Sequence, residues 1–286
     1  MAKKNELKKG LGIRARRTIA YITLAVISFL CLFWFYVLFV NATRSHGELQ
    51  SGFTPIPSTN LLSNWKKLME GTLPVWSGLK NSIIVAVCSA ALSVYFSTMT
   101  AYAIHAYDFK GKNAIFRFIL MVMMIPSQVT ALGFLQLISK MGLEDNLLPL
   151  IIPSIAAPVT FFYMKQYMES TLPLEIIEAA RIDGSGEFRT FNTIALPLMK
   201  PAIAVQAIFT FVGSWNNYFT PALILHKAEM KTLPILIAQL RSADFLKFDM
   251  GQVYIMIAFS IFPVIIVYLF LSRFIVQGIA AGSVKG

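Results

Sequence analysis

The chain has 286 residues, of which 56% are hydrophobic and only 14% charged, with a net charge of +11 and a mean hydropathy of +0.65. A soluble domain carries about 25% charged residues, so a water-soluble globular fold is excluded for want of polar surface. The basic excess does not point to nucleic acid, because the Lys and Arg residues follow the connections between apolar runs rather than one surface stripe.

Lipid is the alternative solvent, and roughly 20 apolar residues cross it as a helix. A basic tail, residues 1–17, precedes the first charge-free run, Thr18–Val40. That run exceeds the ~7–15 residues of a signal-peptide core, although Val40-Asn41-Ala42 loosely resembles a cleavage site. It is therefore read as a retained helix. The loop 41–78 follows, containing Asn41-Ala42-Thr43, a weak glycosylation match. Five further runs come next: Asn81–Ile104, Phe118–Ile138, Leu147–Met164, Ala202–Leu225 and Gln252–Ser272. The segment 79–273 forms the core transmembrane domain, and 274–286 is a second tail. Leu233–Leu240 is too short to cross and suits a short helix dipping into the interface. The predicted fold is an all-α polytopic membrane protein with six transmembrane helices. With the N-terminus inside, 16 Lys and Arg residues fall in cytoplasmic segments and 9 outside. This bias puts both termini in the cytoplasm. Cys31 and Cys88 lie within apolar runs, without metal-ligand neighbours, and read as small buried residues.

Several chemistries are missing. No Gly-x-x-x-x-Gly-Lys-Ser/Thr loop is present, so the chain carries no nucleotide site of that type. No Asp, Glu, Lys or Arg falls inside any of the six runs, whereas proton-coupled carriers need such groups as relays. A hydrolase's paired carboxylates or His-x-x-x-His are absent as well. The sequence therefore gives no catalytic residue, metal or cofactor, and any energy for transport has to come from another subunit.

The patterned polar stretch lies at 165–201. Pro173 suits the opening of a helix, Glu175 and Glu178 suit its N-terminal dipole, and Leu174, Ile177 and Arg181 repeat at i, i+3, i+7. Glu178 and Arg181 can pair at i, i+3. Gly184 predicts a left-handed stop, and Ser185 a cap for a second helix bearing the stripe Phe188, Phe191, Ala195. Pro197 is expected to end that helix and Pro201 to open the fifth crossing. The result is a helix–turn–helix foot on the cytoplasmic side.

Glu178-Ala179-Ala180, Gly184, Ile194 and Leu196-Pro197 together resemble the EAA loop of ATP-binding-cassette (ABC) importer permeases. Asn81-Ser82, Ala101-Tyr102-Ala103, Ile125 to Val129, Gly142-Leu143, Trp215-Asn216, Pro263 and the ending Gly282 to Gly286 are similar to the carbohydrate-uptake branch, in particular the smaller maltose-type permease. Ser185 departs from the usual Ala, and His105 to Lys110 replaces a more basic run. The resemblance implies a type I importer permease of a bacterial cytoplasmic membrane. It also implies a second homologous permease, two ATPase subunits that bind ATP and Mg, and an extracytoplasmic sugar-binding protein meeting 41–78 and 226–251. By the same resemblance the foot, 173–201, seats in an ATPase cleft through Glu178, Ala179, Ala180, Arg181, Asp183, Gly184, Phe188, Phe191, Ile194, Leu196 and Pro197, and the C-terminal tail reaches toward the ATPase pair. ATP-driven closure of that pair would then rock the bundle between two access states.

Along the fifth run, Gln206, Thr210, Gly213, Ser214 and Asn217 fall on one helical face, suited either to a sugar path or to gluing helices together. Gln128 and Gln136 in the third run are candidates for the same path, with Trp215 and Tyr218 as stacking surfaces. Other EAA-bearing importers, for peptides, polyamines or anions, and a channel or membrane enzyme are the competing readings.

Overall fold

The computed structural model describes residues 2–243 and 248–283, with side chains described over 15–126, 128–243 and 248–275. Two compact units emerge, 1–71 with 240–259, and 72–239 with 260–286.

In the first unit, α1 (Ala2–Ala42) is a single helix of 41 residues. Its most apolar window, within Ala15–Ala42, has no buried residues; Ile22, Phe29 and Trp34 all point outward, as lipid-facing side chains do. Ser45 then caps α2 (His46–Gln50) in a capping box: Glu48 Oε2 accepts from the Ser45 N–H at 2.7 Å. In α3 (Leu61–Glu70), the buried Asn64 donates to the carbonyls of Ala42 and Arg44 at 3.0 and 2.9 Å. Gly251 makes room for that amide, since a Cβ there would lie 2.6 Å from Asn64 Oδ1.

The second unit is built on α4 (Val75–Ala106). Ser82, Ser89, Ser93 and Ser97 line one face of it, each at most 2% exposed. Small side chains let neighbouring backbones approach, and their hydroxyls find partners in a medium without water. Ser93 donates to Thr160 Oγ1 at 3.2 Å, Ser89 to the Leu150 carbonyl at 3.3 Å and Ser97 to that of Ala157 at 3.4 Å.

The third predicted crossing is divided into α5 (Lys112–Val122) and α6 (Ser127–Lys140). Pro126 at the N-cap of α6 is extended, with ψ of 132°. It lacks an N–H and disfavours a helical residue before it, so the chain breaks rather than bends there. The fourth run is assembled from α7 (Leu148–Ile151), a 3₁₀ turn at Ile152–Ile155 and α8 (Pro158–Thr171), each opening near a proline.

Then follow α9 (Leu174–Ile182), α10 (Glu187–Thr190), a π-helical turn at Phe191–Ala195, α11 (Leu196–Leu198), α12 (Lys200–Trp215), α13 (Phe219–Ile224), α14 (Leu233–Arg241) and α15 (Met250–Ser283). Among the described residues, four helical segments are long and apolar enough to cross a membrane, or five if the pair 187–198 and 200–215, bent by 80°, counts as one. That is fewer than the six expected, because the third run is broken and the fifth is bent. The predicted short helix at 233–240 is α14, with Leu233, Ile235 and Leu236 buried. Cys31 and Cys88 are free and exposed, not buried. Of the predicted C-terminal tail, residues 284–286 lie outside the described residues.

Candidate functional site

Local sequence builds the foot. Pro173 (φ −61°, ψ 141°) precedes α9, and Asp183 closes it. Gly184 sits at φ +76°; its N–H donates to the Arg181 carbonyl at 3.0 Å and that of Ser185 to Ala180 at 2.9 Å. This pair of bonds is the Schellman motif, which needs a left-handed residue at the position of Gly184. The stop predicted from sequence is therefore present.

Other local expectations are corrected. Gly186, not Ser185, is the N-cap of α10; the Ser185 hydroxyl instead accepts from Thr190 Oγ1 at 2.9 Å. Pro197 does not end the second helix. The chain stays helical to Leu198, and a π turn precedes the proline. Such a turn re-registers the backbone bonds just where Pro197 can offer no N–H. Phe191 and Ala195 are buried at 2% and 0%, whereas Phe188, expected on the same stripe, is 71% exposed.

Arg181 does not take Glu178 as its partner. Its Nε donates to Glu187 Oε1 at 2.6 Å and its Nη2 to the Ala106 carbonyl at 3.3 Å. The turn at Gly184 brings the end of α9 to the start of α10, which makes a residue six positions away a better partner than one three away. Tyr102 donates to Glu187 Oε2 at 3.2 Å, and the Tyr107 ring lies 5.3 Å from the Arg181 guanidinium. The Glu187 carboxylate holds the Arg181 proton more tightly than usual, and burial, then Glu187, pushes the Tyr107 hydroxyl up.

The grip continues along α4. Phe191 packs between Tyr95 and Tyr102, with ring centroids 5.7 and 5.5 Å away. Tyr95 donates to Asn192 Oδ1 at 3.3 Å, and His105 Nε2 donates to the Leu172 carbonyl at 2.8 Å. Sequence reasoning missed this tyrosine face, although Tyr95 and Tyr102 stand seven residues apart on one helix.

Of the remaining residues on the foot, Ile177 and Ala180 are buried, while Leu174, Glu178, Ala179, Asp183 and Pro197 are exposed. Ile194 and Leu196 are half-buried. Ile182, 86% exposed, joins Phe188 as an apolar side chain left in the open.

The proposed path residues are only partly brought together. Gln206, Thr210 and Ser214 share α12, but the helix ends at Trp215, so Asn217 lies beyond it. Gln128 and Gln136 both lie on α6. Gln206 is 6% exposed and lines a cavity of about 310 Å³ with Tyr163, Tyr167, Pro201 and Ile275. Trp215 is not a free stacking surface. It is 3% exposed, stacks on Phe211 at 5.6 Å and donates to the Ser260 carbonyl at 3.2 Å.

Several helices long and apolar enough to cross a membrane, joined to an exposed helix–turn–helix foot, are the architecture of a multi-pass membrane protein. The chain belongs to the family of binding-protein-dependent transport system inner membrane components, whose profile matches residues 93–281. It is 36% identical over 268 residues to the arabinooligosaccharides transport system permease protein AraQ of Halalkalibacterium halodurans, covering 92% of this chain and 94% of that one. It is 31% identical over 280 residues to the sn-glycerol-3-phosphate transport system permease protein UgpE of Yersinia pestis, covering 96% and 98%. In fold it is similar to a chain in the crystal structure of a bacterial ABC transporter involved in the import of the acidic polysaccharide alginate, with a TM-score of 0.77, 22% identity, and coverage of 91% of this chain and 96% of that one. Members of this family are transport components rather than enzymes.

Proposed function

We propose that this chain is one of two homologous permease subunits of an ABC importer that carries a sugar or oligosaccharide across a bacterial cytoplasmic membrane. In this reading α5 and α6 together make the third of six crossings, and both termini are cytoplasmic, as the distribution of Lys and Arg favours. The foot then lies inside and seats in a cleft of one of two ATPase subunits, which hold ATP and Mg. An extracytoplasmic sugar-binding protein delivers its cargo to 41–78 and 226–251, of which 244–247 lie outside the described residues.

The observation that carries this reading is the foot itself. Ile182 and Phe188 are 86% and 71% exposed, yet the backbone between them is fixed by the Schellman bonds and the Arg181–Glu187 pair. A rigid segment that keeps apolar side chains in the open is built for a partner. Closure of the ATPase pair would carry the foot with it, and the foot's attachment to α4 would move the bundle.

The substrate class rests on the relatives named as arabinooligosaccharide permeases. Those named for sn-glycerol-3-phosphate favour a phosphorylated polyol as the second reading. The test is uptake into liposomes containing this chain, its second permease, the ATPase pair and the binding protein. ATP-dependent uptake of arabinotriose and none by this chain alone is expected. Uptake of glycerol-3-phosphate instead would select the second reading, and ATP-independent uptake by the chain alone would overturn both.

A further inference from the structure

The loop between α2 and α3 keeps two large apolar side chains in the open on a backbone that is held at both ends. Phe53 is 63% and Ile56 71% exposed. Glu48 ties the later part of the loop to α2, its carboxylate accepting from Ser58 Oγ at 2.8 Å and Asn60 Nδ2 at 3.0 Å. Arg44 ties the earlier part, donating from Nη1 to the Gly52 carbonyl at 2.9 Å and from Nη2 to that of Glu48. A fixed loop that holds apolar side chains away from its own unit is built to meet something apolar.

Its contacts with α1 identify what that is. The rings of Phe29, Phe33 and Phe53 form one row, with centroids 5.7 and 6.3 Å apart. The loop therefore turns back along α1 instead of leading away from it. Phe33 stands seven residues before Val40, the end of the apolar run Thr18–Val40, about 10 Å at the rise of an α-helix. That run is about 35 Å long against a hydrocarbon core of roughly 30 Å, so Phe33 is at a level inside the core. Tyr36 is one turn nearer the rim, where tyrosine gathers, and its hydroxyl donates to the Pro55 carbonyl. Phe53 thus extends the lipid-facing surface of α1.

The loop's composition suits that level. No charged residue occurs from 49 to 65. Pro55 and Pro57 bring no N–H to be satisfied. The Ile56 N–H donates to Thr54 Oγ1 at 3.2 Å and the Ser58 N–H to Thr43 Oγ1 at 2.8 Å. Arg44 and Tyr36 supply the donors for the carbonyls of Gly52 and Pro55. Irregular backbone beside hydrocarbon needs such internal partners, because lipid offers none.

We infer that 52–57 is a wedge that dips into the membrane leaflet at the C-terminal end of α1, with Phe53 and Ile56 among the acyl chains and Tyr36 as the positioning residue that seats it. The partner is the lipid bilayer, and the inference requires only that α1 crosses it. On the functional reading above, the wedge takes 52–57 out of the surface offered to the binding protein and leaves it the rest of 41–78.

The test uses the assembled transporter in phosphatidylcholine vesicles, with Cys31 and Cys88 replaced by Ser. A nitroxide is attached to one of Phe53→Cys, Ile56→Cys, Phe29→Cys or Lys66→Cys at a time. Access of oxygen, which enters hydrocarbon, is read against that of a polar nickel chelate, which hydrocarbon excludes. Labels at 53 and 56 should give an oxygen-to-nickel ratio at least about fivefold above that at 66 and comparable to that at 29. A ratio near that of 66 at either position would overturn the wedge, as would poor access of both reagents, the sign that protein and not lipid covers the loop. Because the nitroxide is itself apolar, Tyr36→Phe checks what sets the depth. It frees the Pro55 carbonyl and should lower the ratio at 53 at least about twofold; an unchanged ratio would mean that the label and not the fold seats the loop, and would overturn it equally. None of these readings depends on ATP or cargo, so they decide the wedge even where the transport reading fails.

Discussion

At Gly184 a single backbone angle decides whether the foot has one shape. Its φ of +76° closes the Schellman bonds from Gly184 and Ser185, and nothing stands within 4 Å of where a Cβ would be. The obstacle to substitution is therefore conformational, roughly 1–2 kcal/mol for an L-residue in this region and more for a β-branched one. Gly184→Val is expected to insert normally and lose at least tenfold in ATP-driven uptake, read as membrane abundance against transport rate. Wild-type uptake would show that the turn's shape is dispensable. Asp145 is a second such point. It adopts φ +54°, its N–H donates to the Ile224 carbonyl at 2.8 Å, and its Oδ1 accepts from the N–H groups of His226 and Lys227 at 2.6 and 2.8 Å. The Lys227 N–H holds the carboxyl below its ordinary 3.8, against a smaller opposing effect of burial. A depressed pKa stabilises the folded loop above the unfolded value, and that contribution is lost as pH falls through the folded one. Protection of Lys227 from an added protease should hold from neutral pH to about 5 and weaken below about 4, where carboxyls protonate. Asp145→Asn should flatten that response; an identical profile in both would remove Asp145 as its cause.

The elements differ in how far their residues announce them. The end of α9 was legible because only glycine takes φ near +76° without strain, and α14 was legible as a short apolar run between polar segments. The pairing of Arg181 with Glu187 was not, since helical spacing favours Glu178 and only the closed turn brings residue 187 near. Asn217 was misplaced for a related reason: composition marks an apolar run but not where α12 stops inside it. The break at 123–126 was readable as a proline but not as a division into two helices. Phe188 shows the same limit in a useful way, because periodicity put it on one stripe with Phe191 and Ala195, whereas the structure buries those two and leaves Phe188 71% exposed. Buried anchors carry most of an interface's energy, with truncation of a central aromatic costing about 2 kcal/mol or more. Phe188→Asp is therefore expected to weaken retention of the ATPase subunits on the purified permease at least tenfold, while the helical content and melting of the permease stay unchanged. Equal retention by the variant would place the contact elsewhere on the foot.

Across the whole molecule, the disposition of charge and the position of the foot have to agree. The foot carries Glu175, Glu178, Arg181, Asp183, Glu187 and Arg189 within 15 residues, too polar to rest in hydrocarbon, so it must lie fully on one side. Residues 229–231 at the opposite end of α4 are fixed to that helix by Asn81, and a helix of about 48 Å exceeds the roughly 30 Å hydrocarbon core. The two ends of α4 therefore emerge on opposite faces, whichever face is which. On the proposed topology, the excess of Lys and Arg in the segments on the foot's side favours the cytoplasm for that side. Single cysteines at Glu178 and Glu229, in a chain with Cys31 and Cys88 replaced by Ser, test both statements in intact cells. A membrane-impermeant maleimide should modify the cysteine at 229 directly and the one at 178 only after the cells are opened. The reverse pattern would keep α4 as a crossing but turn the protein over, putting the foot beyond reach of any cytoplasmic ATPase. Labelling of both in intact cells would remove the crossing itself.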